Sequence, residues 1–333
     1  MTDMSQAAVQ NTRKEAYRRA SSRLTRSSLL IWNATLAALF AVAAMMPSAS
    51  NSLSFWFYLL QWITLATAVN LVAGLVGYLP FGFVAFFGIG SYAAAVLTQF
   101  HGVSAGWSIC GAATAGAALA LLFAPTMRLS GVFFSIVSLS LSIVLKSLVS
   151  ILPEHVAGGS SGVTITAIKD PALAYYLMVA LCLVSLAIAT LIAVTPYGLR
   201  LKAIRDDAGA AAMIGINVTR LRLSVWLLSA TIASTCGGIE ALYSSVIDPS
   251  ASFNMLISAK AIIYAALGGL GTVMGPLLGA LLMSVVDELI WARFPIANLF
   301  ILGALISLTV LSMPGGMIGW LLDRHPRFRR WFF

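Results

Sequence analysis

An all-α fold, a polytopic transmembrane helical bundle of about ten membrane segments, is what this sequence predicts. Three observations carry that prediction. Sixty per cent of the 333 residues are hydrophobic and only 9% are charged, against about 45–50% and about 25% in soluble domains. Apolar runs long enough to cross a ~30 Å hydrocarbon core recur along the chain. The basic residues behind the net charge of +9 are gathered in short stretches between those runs. A chain this poor in charge cannot cover the surface of a water-soluble globule, so lipid must be part of its solvent.

The placement of the charges sets the orientation. Arg13, Lys14, Arg18, Arg19, Arg23 and Arg26 precede the first apolar run. Arg200, Lys202, Arg205, Arg220 and Arg222 share one interior stretch, and Arg324, Arg327, Arg329 and Arg330 close the sequence. This is the positive-inside pattern, which puts both termini and the 196–222 stretch on the cytoplasmic side. A nucleic-acid patch would need a folded polar domain to carry it. None is present, so the basic charge is not read as a nucleic-acid site.

The expected segments, in order, are 29–46, 54–77, 82–100, 106–127, 130–151, 172–195, 223–246, 256–268, 271–290 and 296–313. Leu29–Met46 follows positive charge, as a signal peptide would. Its basic region is too long and comparable spans follow at once, so it reads as a first membrane helix. The Gly-rich 82–100 and the short 256–268 are the weak members, open to a re-entrant or tilted reading. Basic tails at 1–28 and 314–333 flank a transmembrane domain at 29–313.

Two polar stretches interrupt the runs. Residues 152–171 hold Glu154, His155, Lys169 and Asp170 and face outside by count. Residues 196–222 form the longest cytoplasmic loop. Pro196 and Gly198 punctuate its start, Leu199 to Ile214 favours helix, and Gly215 supplies a stop. A short amphipathic helix held there could meet a soluble partner, or lie on anionic lipid. The Asp206–Asp207 pair and the Ala-rich run 208–212 fit lipid less well.

Ser135, Ser138, Ser142 and Lys146 fall on one helical face, which could line a watery path. Equally, the serines could bond carbonyls of their own helix while Lys146 snorkels outward. Glu240 and Lys260 are further charges in apolar surroundings, either paired with each other or independent. Cys110, Cys182 and Cys236 stand alone inside apolar runs and read as packing residues. His101, His155 and His325 have no nucleophile or carboxylate set beside them, which argues against a hydrolase. No catalytic or metal-binding residue and no cofactor is expected.

Several blocks carry a family resemblance. The loop Tyr197-Gly-Leu-Arg-Leu-Lys-Ala-Ile-Arg-Asp-Asp-Ala, with Ile214-Gly-Ile-Asn after it, resembles the coupling-helix motif of branched-chain amino-acid ABC transporter permeases. Asn70 to Gly77 with Ala85 to Tyr92 is similar to the N-terminal glycine block of that family. Arg128 to Leu139 resembles a block of its second, M-type permease subunit, Gly158 to Gly162 its external glycine loop, Leu267 to Pro276 its late glycine turn and Met313 to Gly319 its C-terminal block. The blocks keep the family's order from about 54 to 322. Tyr78, Pro80 and Phe83 stand where the family commonly has Gln, Ser and His, and Ser140 and Ser142 occupy the neighbourhood of an acidic residue often found in span five.

The resemblance implies a multi-pass subunit of an inner-membrane importer for branched-chain or related hydrophobic amino acids. Urea and short amides are alternative cargo, and an ion-coupled secondary transporter is the alternative outside the family. The implied partners are a sister permease, two ATP-binding-cassette ATPases, a periplasmic or lipid-anchored solute-binding protein and membrane lipid. ATP would be hydrolysed on the ATPases; this chain lacks the G-x-x-x-x-G-K-[ST] phosphate loop. Its run Gly268–Gly275 reads as a tight turn with close helix packing. ATPase coupling is expected of Arg200, Lys202, Arg205, Asp206, Asp207 and Gly215. Asn70, Ser135, Ser138, Ser142, Lys146, Glu240 and Lys260 are the expected path-lining residues.

Overall fold

The computed structural model describes residues 53–293, apart from 130 and 167–169, and a few isolated positions beyond. The expected segment 29–46, nearly all of 296–313 and both basic tails lie outside the described residues. Twelve α-helices run through the described part: α1 (Leu53–Ala73), α2 (Val84–Gln99), α3 (Ala105–Leu122), α4 (Val132–Ile151), α5 (Glu154–Ala157), α6 (Pro171–Val194), α7 (Pro196–Asp206), α8 (Ala208–Met213), α9 (Val218–Ser244), α10 (Pro249–Ser252), α11 (Met255–Gly268) and α12 (Met274–Arg293). Eight expected segments fall in this region, and each contains a helix.

Among the described residues six segments, not the eight expected there, are long and apolar enough to cross a membrane: α1, α3, α4, α6, α9 and Pro249–Gly268. Helix α2 has 16 residues, about 24 Å at ~1.5 Å per residue, which is short of the hydrocarbon thickness. It is buried along most of its length, so protein rather than lipid satisfies it. Helix α12 carries Asp287, Glu288 and Arg293 in its second half, which lowers its apolarity. The chain is a multi-pass helical membrane protein.

Side-chain caps fix several helix starts. Asp170 accepts from the amides of Ala172 and Leu173 ahead of Pro171, Asn217 from Arg220, and Asn254 from Leu256. The cap at Asn217 starts α9 earlier than the apolar run at 223 suggested, because a capped polar first turn extends the helix below its apolar stretch. Helix α1 ends sooner than expected; after Ala73 the chain turns and reaches Gly77, whose φ of +84° is left-handed.

One feature departs from an all-α fold. Val163–Thr164 (β1) pairs antiparallel with Val246–Ile247 (β2), pinning the 152–171 loop to the end of α9. The amide of Ile165 extends the tie to the Ser245 carbonyl at 2.8 Å. The glycine loop is shaped for this contact. A Cβ on Gly162 would collide with the Ile247 carbonyl, and one on Gly158 with the Gly162 carbonyl.

Helix α9 is the axis of the core. It packs on α1, α2, α3 and α6, and its Trp226, fully buried, sits edge-on to Phe86 and Phe134. Small residues bring backbones together, as in other membrane bundles. A Cβ on Gly90 would strike the Ser234 carbonyl, and one on Gly237 the Phe87 carbonyl. Helices α11 and α12 meet the same way, with Gly268 against the Gly275 backbone and Gly279 against the Tyr264 carbonyl. Large apolar side chains such as Phe133, Val144 and Leu148 of α4 stay exposed, as a lipid-facing surface requires.

Candidate functional site

The polar loop between α6 and α9 is the most chemically specific part of the described chain. Its first helix, α7, starts at Pro196, a favoured first position because proline brings no amide donor to waste. Gly198 lies so close to the Ile192 carbonyl that a Cβ would collide with it. Gly198, Leu201 and Ile204 form the buried stripe, at helical spacing. Arg200, Arg205 and Asp206 are exposed and Lys202 is half-buried. Burial, aided by the nearby Arg205, holds the Lys202 ammonium below its ordinary value, while Asp206 opposes the shift.

The single helix expected from Leu199 to Ile214 is in fact two. Asp207 leaves the helical region (φ −155°, ψ 107°) and its carboxylate accepts from the amides of Gly209 and Ala210 at 2.8 and 3.0 Å. It therefore caps α8 instead of continuing α7. Asp competes for backbone donors in this way, which makes it a better cap than interior residue. Gly215, at φ +86°, ends α8 in open space, so only its backbone conformation calls for glycine. We expect Asp207→Ala to cost about 1 kcal/mol of local stability. Hydrogen exchange at Gly209 and Ala210 should then quicken by about fivefold, with the membrane helices unaffected.

Arg205 ties this loop to the bundle. Its Nη1 donates to the Gly74 carbonyl at 2.7 Å, just past the end of α1. Its Cγ lies 3.0 Å from where a Cβ on Gly77 would stand, and its Nη1 2.7 Å from the same point on Gly271. Asn70, one turn back on α1, carries the link further. Its Nδ2 donates to the Thr272 carbonyl and its Oδ1 accepts from the Gly271 amide, both at 2.8 Å. The Thr272 hydroxyl then donates to the Gly269 carbonyl and accepts from the Gly275 amide at the start of α12. A continuous set of polar contacts thus runs from α7 through the end of α1 to the turn between α11 and α12. Asp206 stays largely in solvent, 3.7 Å from the Arg205 Nε.

The serine face of α4 divides in two. Ser135 donates to the Leu79 carbonyl, and Ser138 donates to the Ser135 carbonyl while accepting from the Gly82 amide. These two tie α4 to the 79–82 turn. Ser142 donates to its own helix at Leu139. Ser142 and Lys146 line a cavity of about 420 Å³ with Ile143, Ser250, Phe253, Asn254 and Met255. Tyr78 and Phe83, two of the departures from the family pattern, are buried core residues; Tyr78 stacks on Phe134 and lies under the Arg222 guanidinium.

Lys260 is not paired with Glu240. Its Nζ donates to the Asp287 Oδ2 at 2.7 Å, across the α11–α12 contact. Glu240 is half-buried one turn before the end of α9. Sequence reasoning passed over Asp287 because it stands beside Glu288 near the end of an apolar segment, where charges usually meet water. Its depth depends on how α12 packs against α11. Among the described residues no group of three or more His, Cys, Asp or Glu could hold a metal.

Comparison with known proteins gives the geometry its setting. The profile of the family described as "Branched-chain amino acid transport system / permease component" matches residues 51–310. The chain is similar to the high-affinity branched-chain amino acid transport system permease protein LivM of Salmonella typhimurium: 28% identity over 291 residues, covering 77% of this chain and 67% of the relative. The LivH permease protein of Escherichia coli K12 is 24% identical over 282 residues, covering 77% and 90%. The fructose import permease protein FrcC of Rhizobium meliloti is similar only over 95 residues, 27% of this chain and 26% of its own, at 34% identity. A match over most of the chain decides the matter: this protein belongs to the permease components of branched-chain amino acid transport systems, and it is a transport subunit, not an enzyme.

Proposed function

We propose that this chain is the transmembrane subunit of an ATP-driven importer, forming part of the path by which branched-chain or related hydrophobic amino acids cross the inner membrane. On this reading both termini and the 196–222 loop lie in the cytoplasm. A sister permease completes the path, two ATPase subunits dock on α7 and α8, and a solute-binding protein delivers cargo to the opposite face.

The observation that carries the reading is the Arg205 link. A helix on the loop face, joined by its guanidinium to the backbone at the end of α1 and through Asn70 to the α11–α12 turn, can pass a push from a soluble partner into three helices at once. A docking surface accompanies it. Leu199, Met213 and Ile214 on these helices are 69%, 86% and 75% exposed, and Ile214 shares a recess with the basic Arg200 and Arg220. Apolar side chains projecting so far from a polar loop favour a protein partner.

The test is uptake by the reconstituted complex of this chain, its sister permease, the ATPases and the binding protein. Leucine accumulation that requires ATP is the expected outcome. Uptake persisting without ATP, or without the ATPases, overturns the reading.

A further inference from the structure

The ion pair between Lys260 and Asp287 has no place in the link described above, and it borders a cavity of its own. That cavity, about 640 Å³, lies between α1, α10, α11 and α12. Ser54, Tyr58 and Trp62 of α1 line it together with Asn254, Lys260 and Asp287. These α1 residues belong to its first half, and Asn254 precedes α11, so the cavity lies at the end of the bundle opposite Arg205.

Its chemistry is two-sided. One wall is aromatic and aliphatic, formed by Phe55, Tyr58, Leu59 and Trp62. The other wall holds a cation and carboxylates: Lys260 beside Asp287, with Glu288 on the same helix. Lys260 Nζ also stands 5.6 Å from the Trp62 ring centre, so the charged and apolar walls meet. Two polar atoms here are buried and make no hydrogen bond with the described residues: the Ser284 hydroxyl, on a residue only 8% exposed, and the Asp287 Oδ1. Each costs free energy in this state, and a turn of its side chain toward the cavity would let a polar occupant satisfy it. A charge pair inside a membrane protein is itself costly and commonly marks a solute path.

We infer that this cavity is a binding site for a zwitterionic amino acid with an apolar side chain. The α-carboxylate is held by the Lys260 ammonium, with the Ser284 hydroxyl turned toward it. The α-ammonium is held by the Asp287 carboxylate, with Glu288 reinforcing the negative side. The side chain lies against Trp62 and its aromatic neighbours. Bound in this way, the solute's two charges replace part of the Lys260–Asp287 attraction, so neither wall is left uncompensated. This deepens the importer reading and rests on it, by naming where on this chain the amino acid first sits after delivery.

Site-directed thiol labelling in the assembled complex tests the site. With the exposed Cys110 removed by Cys110→Ser, a reactive thiol is introduced on the cavity wall by Ser54→Cys, at an exposed position; the two remaining cysteines, Cys182 and Cys236, are buried. Millimolar L-leucine should slow its modification by a small charged methanethiosulfonate about fivefold, as expected when ligand is at about four times Kd. Isocaproate, which lacks the ammonium, and isoamylamine, which lacks the carboxylate, should protect far less. The neutral pair Lys260→Met with Asp287→Leu should remove the protection while the complex still assembles, since buried ion pairs tolerate apolar replacement as a pair.

An unreactive thiol, equal protection by all three compounds, or protection that survives the neutral pair would each overturn the proposal. ATP-driven uptake of the same complex is measured in parallel. Uptake without protection removes the site and leaves the importer; protection without ATP-driven uptake removes the importer and leaves the site.

Discussion

Arg205→Ala should abolish ATP-driven uptake while the protein still inserts and the ATPases still hydrolyse ATP. The guanidinium bond to the Gly74 carbonyl is charge-assisted, and such bonds contribute about 1.5–3 kcal/mol. Losing ~2 kcal/mol of contact between α7 and α1 corresponds to roughly a 30-fold fall in the population of the coupled state. Uptake should fall by at least about that factor, with ATP turnover continuing and no longer stimulated by loaded binding protein. Arg205→Lys keeps the charge but loses the planar fork, so it should rescue only in part. Arg128→Ala, at an exposed arginine outside this loop, serves as the comparison for loss of charge alone. Normal uptake by Arg205→Ala complexes would refute the coupling role.

The second large effect is expected at the crossing of α11 and α12. Gly268 meets the backbone of Gly275 so closely that a Cβ would overlap its carbonyl. Backbone cannot move aside as a flexible side chain can, so Gly268→Val must separate the two helices. Overpacking of this kind costs about 1–3 kcal/mol or more. At about 2–4 °C per kcal/mol, the midpoint of thermal unfolding in detergent should fall by roughly 2–12 °C. Separation also moves Lys260 from Asp287 and disturbs the turn gripped by Asn70, so uptake should fall too. Gly106→Ala is the contrast: it lies in α3 with open space where a Cβ would go, and should leave the midpoint unchanged or slightly raised. Equal midpoints for the two variants would show that the α11–α12 contact is not rigid.

These two sites show what could and could not be seen in advance. Arg205 and the Gly268–Gly275 run were both visible as motifs, because residue type and local spacing mark a polar loop or a close helix contact. Their partners were not. Asn70 grips a turn about 200 residues away, and no local pattern announces that the Gly271 amide and the Thr272 carbonyl will be presented to it. Lys260 was recognised as a charge needing compensation, with Glu240 as the partner weighed for it; Asp287 emerged only once α11 and α12 were placed side by side. The break at Asp207 was hidden for a different reason. Asp206 and Asp207 stand next to each other, either could cap or continue a helix, and which backbone amides come free depends on how α7 packs its buried stripe.

By itself, then, the sequence determined that this chain lives in a membrane, which stretches become helices and where its polar loop lies. Those properties follow from apolar run length and charge placement, which act over neighbouring residues. Only the tertiary structure decided that α9 forms the core axis, that α2 is too short to span and is sheltered by protein, and that Arg205, Asn70 and Lys260 close their contacts with α1, the glycine turn and α12. Hydrogen bonds and ion pairs act over about 3 Å, so their partners exist only once helices distant in sequence have been packed together.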